Sequence, residues 1–152
     1  MAVYQVVAVP DEVLRTRAKP VTKINQGVLR LLENMRDTLY EMEGLGLAAP
    51  QIGVGRRVIV YDVGEGLVEA INPVVVEQEG EQTGMEACLS VPNARGRVTR
   101  AQRVVVEALN RYGEAIRLEG EGLVARVLQH EIDHLDGILF VDRAEWVERD
   151  RA

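Results

Sequence analysis

Two segments with a helical apolar period enclose a long run of short strand-like segments. Residues 25–43, NQGVLRLLENMRDTLYEME, place Val28, Leu31, Leu32, Met35, Leu39 and Met42 at the i, i+3, i+4, i+7 spacing of one buried helix face. Asn25 is suited to cap the start of this helix, and Gly44 to end it in a left-handed turn. The next stretch, GLGLAAPQIGVG, is rich in glycine and small residues and carries no helical period. RRVIVYDV (56–63) reads as a strand, and LVEAINPVVVEQ (67–78) as a second, broken at Pro73. GRVTRAQRVVVEAL (96–109) and EAIRLEG (114–120) read as further strands joined by the turn NRYG. From about Glu121 to Leu135 the pattern is helical again, with Leu123, Val127, Leu128 and His134 on one side. Strands grouped between helices, rather than alternating with them, predict an α+β fold. Mainly antiparallel sheets should surround a central C-terminal helix, with a second helix near the N-terminus. No repeat or linker-like run divides the chain, so residues 1–152 are expected to form one domain.

Charge and cysteine usage limit the function classes. The net charge is −6 and the pI near 5.0, which argues against binding to nucleic acid or an anionic membrane, because phosphate surfaces would repel most of the molecule. The single cysteine, Cys88, excludes a disulfide framework within the chain and fits a reducing compartment. The start, MAVYQVVAVPDEVLR, has neither the basic region nor the apolar run of a signal peptide. A cytoplasmic protein is expected, and its size sets a monomer as the default.

The last helical segment carries LQHEIDHLDG, with the only two histidines of the chain. Residues four apart on a helix lie one above the other, so His130 and His134 can present two imidazoles to one ion. Glu131 sits about 100° around the helix from His130, beside the metal face. That position suits a carboxylate taking a proton from an activated water. The bland reading of the same five letters, H-E-x-x-H, is a polar patch on a solvated helix. A hydrolytic metal site needs a third protein ligand. The spacing continues to Gly137, but Phe140 stands where a third histidine would be. A glutamate from a second helix, such as Glu145 or Glu148, is hard to supply from the 18 residues after His134. Cys88 remains, since a thiolate with two imidazoles suits Zn²⁺ or Fe²⁺. A lone cysteine is also commonly a small buried core residue, and both readings stand on the residues alone.

Three segments together resemble the three signature motifs of peptide deformylases: GLGLAAPQ (44–51), EACLS (86–90) and QHEIDH (129–134). Their order and spacing also match, over nearly the whole chain. The resemblance implies removal of the formyl group from N-formylmethionine at the start of new polypeptides, with release of formate. It makes Cys88, His130 and His134 the ligands of one divalent metal. Fe²⁺ is then the expected ion, replaceable by Zn²⁺, Ni²⁺ or Co²⁺. It makes Glu131 the general acid/base, Gln51 and the backbone N–H of Leu89 the oxyanion donors, and backbone around Gly46 a peptide-binding element. Leu123 and Val127, two turns and one turn before His130, and Leu45 from the first motif are candidates for the methionine pocket; core packing explains the same periodicity. Asp133 needs a partner beside a buried metal helix, and Arg100 is the expected one.

The chain departs from the family pattern in two places. Ala87 replaces the usual glycine of the second motif, which is tolerable if the backbone there is an ordinary strand. The ending AEWVERDRA allows about two helical turns, so ribosome docking through a longer terminal helix is not expected. Two rival readings are a metallopeptidase with another third ligand and an inactive deformylase-like module with Ala87 as the lesion.

Overall fold

The computed structural model describes Ala2–Arg149. Helix α1 (Gln26–Glu41) is followed by strands β1 (Gly46–Ala48), β2 (Val58–Tyr61), β3 (Val68–Glu79), β4 (Gln82–Cys88), β5 (Val91–Arg100), β6 (Arg103–Leu109) and β7 (Ala115–Glu121). Helix α2 (Leu123–Leu135), a single turn α3 (Phe140–Arg143) and strand β8 (Ala144–Arg149) complete the described chain. All strand pairs within the two sheets are antiparallel: five strands in the order β1-β2-β3-β6-β7, and three in the order β4-β5-β8. The expected α+β architecture around a C-terminal helix is therefore the one observed. No helix among the described residues is long and apolar enough to cross a membrane.

Strand β2, VIVY, is buried on both faces of the larger sheet. Successive strand residues point to opposite faces. Val58 and Val60 pack with Val28, Leu32, Met35 and Leu39 of α1, whereas Ile59 and Tyr61 pack with Ala125, Leu128, Ile132 and Leu135 of α2. One strand thus separates two cores, and α2 becomes the central helix. A third core, built on Leu14, Val98, Leu139 and Phe140, closes the smaller sheet. Phe140 is thus a core residue.

Several local expectations change. The Asn25 cap is present, its Oδ1 accepting from the Val28 N–H at 3.1 Å. The left-handed residue that ends α1 is Glu43 (φ 54°), not Gly44. Gly44 lies one residue on, where its N–H donates to Leu39 O and a Cβ would crowd the end of Met42. Strand β3 runs through Pro73 instead of breaking, because the irregularity is absorbed by a register shift between Ile71 and Val74. Asn72, at φ 53°, exchanges two side-chain hydrogen bonds with the Val21 backbone there, each 2.8 Å. The stretch 96–109 is two strands in two different sheets. At the break, Ala101 gives its N–H to Gln129 Oε1 and receives Gln82 and Gln129 side-chain amides on its carbonyl, which replaces the ladder. Residues 144–149, expected as helical, form β8 against β5; residues 150–152 of that segment lie outside the described residues.

Helix α2 ends as the rules for a glycine-terminated helix require. Ile138 N–H reaches back to Asp133 O, Gly137 N–H to His134 O, and Gly137 takes φ 76°. A Cβ on Gly137 would stand 2.7 Å from Arg15 O. Gly137→Ala combines left-handed strain with this backbone clash. It is expected to destabilise the fold by about 2 kcal/mol or more, read as a lowered urea midpoint at unchanged slope.

Candidate metal centre

Helix α2 and the β4–β5 hairpin bring three donor side chains together. His130 and His134 share one helix face, their ring centroids 5.1 Å apart. Cys88 ends β4, where the register slips after Ala87 and Cys88 pairs with Val91 across the turn Leu89–Ser90. Its Sγ stands 3.4 Å from His134 Nε2, and one ligand atom from each of the three side chains lies within 4.8 Å of the others. Zinc bonds of about 2.3 Å to sulfur and about 2.0 Å to nitrogen in tetrahedral geometry put two such donors about 3.5 Å apart. The set therefore fits one borderline-soft divalent ion and leaves a coordination position free for water or substrate. No other such group of three converges among the described residues.

His130 is oriented from behind, whereas the buried Nδ1 of His134 has no hydrogen-bond partner. His130 Nδ1 hydrogen-bonds Glu86 Oε1 at 2.8 Å, which turns Nε2 toward the other donors. Arg100 donates to Glu86 Oε2 at 2.6 Å and to Oε1 at 2.8 Å, and Arg126 pairs with Oε2. Arg100 also reaches Asp133 Oδ2 at 2.9 Å, the partner expected for it, and Arg143 forks onto the same carboxylate. Burial would raise Glu86, but hydrogen bonds from Arg100 and His130 hold its carboxyl down at about 2. For His130, burial works downward, and hydrogen bonds to Cys88 and Glu86 outweigh it, raising the imidazole to about 10. Burial, with the positive charges of His130 and Arg100, lowers His134 to about 3, leaving a neutral imidazole suited to ligation. Glu86 was legible in one respect. It lies two residues before Cys88 on a strand and so shares its face. Nothing in the sequence singled out Arg126 or Arg143.

The remaining predicted residues surround a cleft of about 780 Å³ in front of the donors. Glu131 is buried at its wall, and its Oε1 has no hydrogen-bond partner, as expected of a carboxylate awaiting one in the site. Burial raises this carboxyl to about 7. Gly46 approaches it so closely that a Cβ would stand 2.7 Å from Glu131 Oε2. Gln51 is buried, its Oε1 taking the Ala48 N–H at 3.0 Å and its Nε2 lying 3.2 Å from Ser90 Oγ and 3.4 Å from Cys88 Sγ. Sequence reasoning missed Ser90 and also the N-terminal segment, whose Val7 N–H donates to Gln51 O and whose Val9 N–H donates to Ser90 O. Leu89 is 57% exposed at the rim; Leu45 and Leu123 are half-exposed and Val127 is buried, and all three line the cleft. Ala87 is an exposed strand residue paired with Arg95, and positive φ does not occur there, so its methyl meets no backbone strain. A larger cleft of about 980 Å³ opens on another face of α2 but holds none of the three donors.

The sequence profile of the polypeptide deformylase family matches residues 3–150. This chain belongs to that family. It is 58% identical over 144 residues to the peptide deformylase of Syntrophomonas wolfei, covering 95% of each chain. Against the peptide deformylase of Desulfitobacterium hafniense it is 58% identical over 149 residues, covering 98% of this chain and 99% of that one. Its fold superimposes on the crystal structure of the peptide deformylase from Thermotoga maritima with a TM-score of 0.91 at 43% identity, over 95% of this chain and 99% of the other. The deformylase structure from Legionella pneumophila gives a TM-score of 0.91 at 44% identity, over 94% and 86% of the two chains. Family and geometry agree on a metal-binding site at Cys88, His130 and His134.

The geometry predicts one divalent ion per chain. Removing Cys88 or His134 by substitution with alanine should abolish stoichiometric binding in metal analysis of the folded protein. Glu131→Gln should retain the ion.

Proposed function

We propose that this chain is a metal-dependent hydrolase. It removes the formyl group from the N-terminal formylmethionine of newly made polypeptides and releases formate. One observation carries the reading: Cys88, His130 and Glu131, whose Oε1 has no hydrogen-bond partner, line the same cleft, and His134 Nε2 lies 3.4 Å from Cys88 Sγ. Family membership supports the substrate. The reading places the enzyme in the cytoplasm as a monomer acting on nascent peptides.

When bound, a divalent ion supplies Lewis acidity and makes hydroxide available near neutral pH. Fe²⁺ is the ion we assign to the cell, with Zn²⁺, Ni²⁺ or Co²⁺ able to replace it; the thiolate–imidazole set suits all of them better than a hard oxygen-seeking ion. Cys88, His130 and His134 hold it. Glu131 takes the proton of the attacking water, which adds to the formyl carbon. Negative charge then grows on the formyl oxygen, and the Gln51 side-chain amide and the Leu89 N–H are the donors assigned to it. As the carbon–nitrogen bond breaks, Glu131 delivers its proton to the leaving amine, giving formate and a free N-terminus. Backbone at Gly46 aligns the peptide. Leu45, Leu123 and Val127 surround the methionine side chain, and their apolar surface excludes water from it.

The ordinary strand geometry at Ala87 weighs against the inactive module. Formate release from formyl-Met-Ala-Ser under anaerobic conditions with Fe²⁺ separates the readings. Release supports the deformylase. Cleavage of unformylated peptides would favour a metallopeptidase, and absence of formate with the ion bound would sink the proposal. Glu131→Gln is expected to lower kcat by about 10²–10⁴. Gly46→Ala, which pushes on the Glu131 carboxylate, should lower kcat by about 10² with the ion retained. Near wild-type turnover in either variant would remove Glu131 from the mechanism.

A further inference from the structure

The metal donors arrive on two elements that share no backbone ladder. Cys88 ends β4, an edge strand paired only with β5, and both histidines stand on α2. What keeps β4 in place against α2 is therefore a question for side chains. Arg126 lies four residues before His130, so its side chain leaves the helix on the same face. It does not extend into solvent. Its side chain is only 12% exposed and crosses to the smaller sheet. There Nη1 pairs with Glu86, Nε donates to Gln82 Oε1 at 3.3 Å, and Nη2 donates to the Val98 carbonyl at 3.2 Å. Two points on β4 and one on β5 are thus tied to α2 by one planar group, whose fixed fork a lysine could not reproduce.

Gly84 lies directly beneath this crossing. A Cβ at that position would already stand 3.4 Å from Arg126 Nη2, and a longer side chain would occupy the path of the guanidinium. The target also matters. Arg100 and Arg126 both bind Glu86 Oε2, whereas Oε1 receives Arg100 and His130. With Oε2 pinned by two guanidiniums, the carboxylate plane is set, and with it the direction from which Oε1 meets His130 Nδ1.

We infer that Arg126 is a positioning residue of the metal centre: through Glu86 it orients the His130 imidazole, and through Gln82 and Val98 it holds the strand carrying Cys88 against α2. The inference rests on the metal centre and not on the identity of the substrate. Loss of such an outer partner characteristically lowers metal affinity by about 10–100-fold.

Two substitutions and two measurements test it. Arg126→Met keeps the apolar stem and removes the fork; Arg126→Lys keeps the charge without the fork. Each protein is loaded with Co²⁺. The dissociation constant is measured by competition with a chromophoric chelator, and the visible absorption spectrum is recorded. Arg126→Met should bind Co²⁺ about 10–100-fold more weakly and show altered visible bands, with Arg126→Lys restoring part of both. A fall in kcat for formyl-Met-Ala-Ser should accompany this. A folded Arg126→Met protein with wild-type Co²⁺ affinity and spectrum would overturn the inference, whatever its unfolding midpoint. If Arg126→Met does not fold, Gln82→Met removes the Nε acceptor, together with the amide's bonds to the Ala101 and Gly122 carbonyls. It should weaken Co²⁺ binding in the same direction, and wild-type affinity would again overturn the inference. Tight Co²⁺ binding by the unmodified protein without formate release would refute the proposed reaction while leaving the role of Arg126 intact.

Discussion

Glu86 carries a full negative charge on a side chain that is 5% exposed, and much of the site is arranged around it. An isolated buried carboxylate is expensive, so partners must surround it. Two guanidiniums and one imidazole do so here, from β5, from α2 and from the metal face. Arg100 continues the chain to Asp133, and Arg143 closes it on the far side. The smaller sheet, the central helix and the single turn α3 are thereby joined through charged groups, in a region where an apolar core could have served stability equally well. A charged network fixes directions, which apolar packing does less well, and direction is what an imidazole ligand requires.

This arrangement explains why the two sheets are unlike each other. In the larger sheet, β2 is buried throughout, between α1 on one face and α2 on the other. The smaller sheet meets α2 through the Glu86 network and leaves a cleft between β4 and the start of β1. Position in the fold and chemistry are thus assigned to different surfaces of one helix. Its buried side, with Leu128, Ile132 and Leu135, sets its position, and its polar side carries His130, Glu131 and His134.

The fold class was legible because periodicity survives in the sequence: α1 and α2 have clear apolar faces, and the strand-like runs between them do not alternate with helices. The metal ligands were legible because few residue types can serve and the chain has so few of them. The Arg100–Asp133 pair followed from the need to compensate a buried charge. What escaped was set by tertiary contacts. The division of 96–109 into two strands depends on Gln82 and Gln129 amides arriving from elsewhere. Strand β8 forms because β5 offers it an edge, and its own residues say little. Glu43 takes the left-handed position because Gly44 lies in a more crowded place. Arg126 drew no role from the sequence, because the sequence does not reveal that its side chain crosses to Glu86 and Val98.

The N-terminal segment has a consequence for how the molecule comes into being. Val7 and Val9 bind the backbone of Gln51 and Ser90, and Cys88 must meet His134. The site therefore draws on residues 7 and 9, on residues between 51 and 90, and on residue 134. A chain growing from its N-terminus can form α1 and the first strands early, yet it cannot assemble the three-donor set before residue 134 has emerged. An enzyme of this design has no active fragment during its own synthesis.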